Sequence, residues 1–211
     1  MAIRSEQSRR AILEATMRLL DESGPAAVSV QKLSIERIAR EAGVSKTTIY
    51  RWWPSKAAVV IDTFLDNHVA RTPIREDVPA IEAVREHLAS LAEIYAGGEG
   101  RLVAQLIAEC QDDPATMVEF KERFWTPRSR AVIQLVRRAM EEGSMRGDLD
   151  PELMTELLYS PIYFRLLLRT GALDAEATKG ILHTALEGLA AGRYGVQQAY
   201  AEHSAQRWLP G

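Results

Sequence analysis

Cysteine occurs once in the 211 residues, at Cys110, so an intrachain disulfide and a Cys-x-x-Cys metal or redox pair are both excluded. The lone thiol is expected to be buried and structural. No apolar run approaches the roughly 20 residues that a bilayer crossing needs, and the opening MAIRSEQSRR leads into an amphipathic pattern rather than a short hydrophobic block. The expectation is a cytoplasmic protein with no membrane partner. His68, His87, His183 and His203 show no metal-ligand spacing, and no serine sits in a nucleophile motif. Neither an enzyme, nor a metal centre, nor a cofactor is expected. The one glycine cluster, Gly97-Gly98-Glu99-Gly100, lacks the lysine and the preceding strand of a phosphate-binding loop. Period-two alternation of strand length is absent, as are internal repeats and low-complexity tracts.

What is present is apolar residues at helical spacing almost throughout, 46% of the chain against 26% charged, which is enough for a packed core. Charge is unevenly placed. Residues 1–60 hold ten Lys and Arg against six Asp and Glu, net +4; the remainder holds sixteen against twenty-three, net −7. Phosphate is thus attracted at one end and repelled at the other.

Capping signals divide the chain into about nine helices, an all-α fold. The first is expected from about Ser5 to Ser23, with Ile12, Leu13, Thr16, Met17, Leu19 and Leu20 inward and Gly24-Pro25 ending it. Ser34 can cap a second helix, with Ile35, Ile38, Ala39 and Ala42 inward; Gly43 can stop it; Ser45 can cap a third from Lys46. Trp53-Pro54 interrupts that helix, and Ser55 can cap a fourth through about His68. Further starts are read at Pro79, Asp113-Pro114, Thr126-Pro127, Asp150-Pro151 and Asp174, with breaks over Gly97–Gly100, Gly143–Gly147 and at Gly171.

The stretch from Ile38 to Tyr50 has the requirements of a helix-turn-helix. Ala39 and Ala42 allow a second helix to cross closely, Gly43 permits the turn, and Val44 and Ile49 plug the gap. Lys46, Thr47, Thr48, Tyr50 and Arg51 remain outward, which is the chemistry of a groove reader, with Ser45 beside them at the helix start. Arg4, Arg9 and Arg10 are read either as a basic arm reaching phosphate or a minor groove, or as a solvated surface.

IAREAGVSKTTIYRWWPSKAAVV resembles the DNA-binding signature of TetR-type repressors over about residues 35–62. The resemblance implies an N-terminal three-helix DNA-binding domain over residues 1–54, a helical regulatory and dimerisation domain over 55–192, and a polar tail over 193–211. It implies that Lys46, Thr47 and Thr48 face base edges while Tyr50, Trp52 and Lys56 mainly contact phosphates. Trp52-Trp53 stands where the family usually has histidine and phenylalanine, and Ser29–Leu33 makes the first interhelical connection some five residues longer than usual.

Beyond residue 62 the resemblance is architectural. Leu182, Ala185, Leu186 and Leu189 form a stripe in a helix pair, about 151–170 and 174–191, that packs either within the monomer or across a two-fold axis. The resemblance implies the second: a homodimer on a near-palindromic operator. Tyr95, Gln105, Phe120, Phe124, Trp125, Tyr159 and Tyr163 offer bulky faces with polar tips, suited to a pocket for a small apolar or aromatic effector or simply to core packing. Pro161 is expected to kink its helix between Tyr159 and Tyr163. The expected function is ligand-responsive repression; the alternative is a DNA-binding activator or docking module without a pocket.

Overall fold

The computed structural model describes residues 2–21 and 27–187, with side chains over 6–21, 27–65 and 71–187. Every regular element in them is helical. The helices are α1 (Ala2–Leu20), α2 (Ile35–Ala42), α3 (Lys46–Tyr50), α4 (Lys56–Arg71), α5 (Ala80–Ala96), α6 (Gly98–Asp112), α7 (Pro114–Phe120), α8 (Thr126–Glu141), α9 (Pro151–Leu168) and α10 (Ala175–Glu187). A π-helical turn, Lys121–Trp125, joins α7 to α8 without a break, so these ten form nine separate rods among the described residues.

Thr126-Pro127, expected as a helix start after a break, is therefore the interior of a rod. Pro127 has no N–H to give to a preceding carbonyl, and the wider turn before it, in which Thr126 N–H reaches back to Lys121 O, absorbs the defect. The break expected over Gly97–Gly100 shrinks to Gly97, because Gly98 and Gly100 lie in the first turn of α6. Gly100 is there for contact: a Cβ would stand 2.0 Å from the Tyr95 carbonyl oxygen. α1 starts at Ala2, so Arg9 and Arg10 ride on a helix rather than on a loose arm, with Arg9 on Glu6 at 3.2 Å. Leu189, the Gly24-Pro25 stop and the polar tail lie outside the described residues.

The capping residues act as expected. Ser34, Ser45 and Asp150 accept from Arg37, Thr48 and Glu152 N–H, and Asp113 accepts from Ala115 and Thr116. Ser55 and Asp174 accept from Ala58 and Ala177. Each side chain satisfies a donor that the first helical turn leaves open.

α1, α2 and α3 pack around Ile12, Leu19, Val30, Ile38, Ile49 and Trp53, each no more than 2% exposed. α4 packs on α1 of the head and on α7 and the π turn of the body, where its Phe64 meets Phe124. α5 lies against α6, α8, α9 and α10, forming the body. Glu142 at the end of α8 accepts from Ala80 N–H at 2.6 Å, tying α8 to the start of α5.

Candidate DNA-reading helix and effector cavity

The recognition surface begins with a backbone requirement. Gly43 has φ 66° and ψ 31°, the left-handed region, and Val44 N–H returns to Ala39 O at 3.0 Å, closing α2 and turning the chain toward α3. Ser45 then caps α3, and its hydroxyl also lies 2.9 Å from that of Thr48. Ile49 and Trp53 sink into the head, at 0% and 1% exposure. Helical geometry consequently leaves Ser45, Lys46, Thr47, Tyr50 and Arg51 exposed, with Thr48 and Trp52 half-buried.

Two of the expected DNA contacts are engaged inside the protein. Lys46 pairs with Glu36 on α2, which raises the lysine's pKa and lowers the carboxylate's; both groups are solvent-exposed, so the pair adds little stability. Lys56 turns its ammonium to Val30 O at 2.8 Å and to Glu109 Oε1 of α6 at 3.1 Å.

The contact at Val30 shows what the long first connection does. Its backbone N–H donates to Gln105 Oε1 of α6 at 2.8 Å and its carbonyl accepts from Lys56 of α4, so both backbone polar groups of Val30 are held, one by α6 directly and one by the lysine that also meets Glu109. Gln105, read from sequence as an effector contact, thus faces the head and lies apart from the cavity.

That cavity, about 770 Å³, lies between α5, α8 and α9 and is bounded by the π turn. Phe120, Phe124, Trp125, Tyr159 and Tyr163 line it, and its volume falls in the range of small-molecule sites. Tyr95 stands behind the wall, its hydroxyl 3.2 Å from that of Tyr163. α9 runs helically through Pro161, and the tyrosines on either side both reach the cavity.

Two polar residues of the lining, His87 and Arg128, were not among the expected contacts. His87 Nδ1 is 2.8 Å from the Tyr159 hydroxyl, while its buried Nε2 has no partner. Burial, helped by the positive charge of Arg128, pushes its pKa down to about 4, so the ring is neutral. Arg128 donates to Thr72 Oγ1 and lies over the Phe124 ring, 5.9 Å from its centroid. Burial raises the Tyr95, Tyr159 and Tyr163 hydroxyls far enough to keep them protonated at neutral pH. His87 sits on the apolar face of α5 beside Leu88 and Leu91, a placement that helical periodicity does carry; Arg128 falls among Arg123 and Arg130 with no pattern to single it out.

A chain of contacts leads from this wall to the reading helix. Phe124 meets Phe64 of α4 edge-on at 5.4 Å between centroids. The neighbouring Arg123 donates to Asp62 Oδ1 at 3.5 Å, and Asp62 Oδ2 accepts from the Trp53 indole N–H at 2.8 Å. Trp53 is the head-core residue that directly follows the turn after α3.

Residues 12–63 match the family profile described as "Bacterial regulatory proteins, tetR family", and residues 79–185 match "Tetracyclin repressor-like, C-terminal domain". The chain is 34% identical to the HTH-type transcriptional regulator YdeS of Bacillus subtilis over 188 residues, 89% of this chain and 92% of the relative. It is 24% identical to the HTH-type transcriptional regulator AqdR of Rhodococcus erythropolis over 152 residues, 72% of this chain and 70% of the relative. Among solved structures it is similar to the TetR family transcription regulator SCO0332, with TM-score 0.70, 27% identity, and coverage of 87% of this chain and 99% of that one. It is also similar to the Thermus thermophilus repressor FadR in complex with lauroyl-CoA, with TM-score 0.66, 25% identity, and coverage of 86% and 95%. These relatives are regulators of transcription rather than enzymes, and the chain belongs to the TetR family of helix-turn-helix transcriptional regulators.

Proposed function

We propose that this regulator is a ligand-responsive repressor, with residues 1–54 reading a near-palindromic operator as one half of a homodimer and 55–192 holding the effector. Lys46, Thr47 and Thr48 are assigned to base edges, with Ser45 at their start; Tyr50, Trp52 and Lys56 are assigned to flanking phosphates, and Arg51 to the same DNA-facing surface. The observation that carries the ligand response is the run Trp53–Asp62–Arg123, because Arg123 adjoins the cavity residue Phe124 while Trp53 anchors the head. An effector that reshapes the π turn thereby acts on the helix that carries the heads, provided it prefers one head spacing over the other. The similar Thermus thermophilus repressor FadR, whose structure is a complex with lauroyl-CoA, supports a ligand-responsive reading.

Dimerisation through α9 and α10 is supported by an apolar face that stands exposed among the described residues. Leu153, Leu157, Phe164 and Leu168 follow each other at helical spacings along α9, between 55% and 63% exposed, and Leu186 of α10 adds 43%. Leu182 of the stripe read from sequence is buried in the monomer, leaving Ala185 and Leu186 outward.

Fluorescence anisotropy with DNA from upstream of the protein's own gene, against scrambled DNA and across a salt series, tests the reading. Tight, sequence-dependent binding with a steep salt slope is expected. Lys46→Ala and Thr48→Ala should each cost about 1–3 kcal/mol on the cognate site. Equal losses on cognate and scrambled DNA would remove both residues from base reading.

A further inference from the structure

The electrostatics of the effector cavity are unbalanced. Two other half-buried arginines of the body are charge-paired: Arg123 lies on Glu119 and Asp62, and Arg138 on Glu142; a third, Arg165, outside the cavity lining, donates to the Ala172 carbonyl. Arg128, equally withdrawn from solvent, has no carboxylate within ion-pair distance among the described residues; its hydrogen-bond partner is the Thr72 hydroxyl. A guanidinium carries five N–H donors in a planar fork suited to a carboxylate, and an uncompensated cation is costly to bury. The two acids of the lining, Glu152 and Glu156, are exposed and neither pairs with Arg128. A second donor or acceptor waits nearby in the unpartnered Nε2 of His87. The rest of the wall is largely apolar and aromatic, including Phe120, Phe124, Trp125 and Val132.

We propose that the effector is an amphipathic acid, an apolar or aromatic body bearing one anionic group, which takes Arg128 as its counter-ion. The inference rests on the ligand-responsive reading above and adds the chemical class. It also gives occupancy a route outward, since Thr72 directly follows the last residue of α4 and loses its arginine when the guanidinium turns to an acid.

Two fluorescent probes that share a skeleton test this on the full chain: 8-anilinonaphthalene-1-sulfonate and its uncharged parent N-phenyl-1-naphthylamine. The sulfonate should bind at least tenfold more tightly than the parent. Arg128→Met should abolish that preference, and Arg128→Lys should keep most of it. Ser129→Trp, which fills the cavity, should weaken both probes. Cavity-dependent binding of both probes with equal affinity, insensitive to Arg128→Met, overturns the acid and leaves the ligand-responsive reading standing. Binding of neither probe, or binding indifferent to Ser129→Trp, removes the cavity as the site and both readings with it. The comparison of the two probes on the unsubstituted protein needs no variant to fold.

Discussion

The head and the body answer opposite demands. The head fills its interior, with Ile12, Ile38, Ile49 and Trp53 sealed from solvent, and turns its polar groups outward around a short helix whose direction one glycine turn sets. The body instead keeps about 770 Å³ open among aromatic rings and buries a histidine and three tyrosine hydroxyls around that space. Reading a groove needs side chains held in one geometry, whereas sensing needs a vacancy that an outside molecule can fill. The two regions should therefore respond differently to the same chemical change.

The sharpest contrast is tryptophan truncation. Trp53→Ala removes a sealed side chain and its indole bond to Asp62 and should cost about 3–5 kcal/mol in urea unfolding. Trp125→Ala, at a residue 40% exposed on the cavity wall, should cost less than about 1.5 kcal/mol, because truncation there enlarges a space already present. Equal losses would erase the distinction between a filled and a vacant region.

The next effect belongs to the body alone. The unfolded chain takes up a proton at His87 near pH 6.5, whereas burial in the folded protein delays that uptake to about pH 4. The unfolded state thus binds more protons between those values, so stability is full above pH 6.5 and declines as pH falls toward 4. By pH 5 the loss should be about 2 kcal/mol. His87→Gln, which retains an acceptor for the Tyr159 hydroxyl, should flatten the pH dependence of the urea midpoint by that amount. An unchanged slope would mean that the ring takes up its proton at an ordinary pH.

The smallest effect returns to the head. A Cβ at Gly43 would meet nothing within 4 Å, so Gly43→Ala tests backbone conformation without a clash and should cost about 1–2 kcal/mol. DNA affinity measured on the folded variant should fall as well, because the same turn aims α3.

The head was legible from sequence because its constraints are local. Ser34, Gly43 and Ser45 act within four residues of their own positions, and such spacings survive in a one-dimensional string. The aromatic wall was legible for a similar reason, since Tyr159 and Tyr163 share a face of one helix. What escaped depends on distant partners. Gln105 has the polar tip of an effector contact, yet it meets the backbone of a connection 75 residues earlier, whose amide needs an acceptor. Arg128 looks like any solvated arginine until α5, α9 and the Thr72 that follows α4 come together around it. Thr126-Pro127 has the form of a helix start, and only the hydrogen-bond register of the preceding turn decides that the helix continues.

The position of Lys56 makes one cation answerable to two claimants. Its ammonium holds Val30 and Glu109, and so joins the head's first connection to α6; the same group is the one assigned to an operator phosphate. Both attachments cannot be complete at once, so DNA and the body are competing ligands of a single side chain. Competition of this kind is reciprocal: by whatever factor Glu109 weakens operator binding, the operator weakens the hold of the body on the head. Glu109→Gln lies on α6 rather than on the reading helix, yet it should tighten operator binding by releasing the lysine.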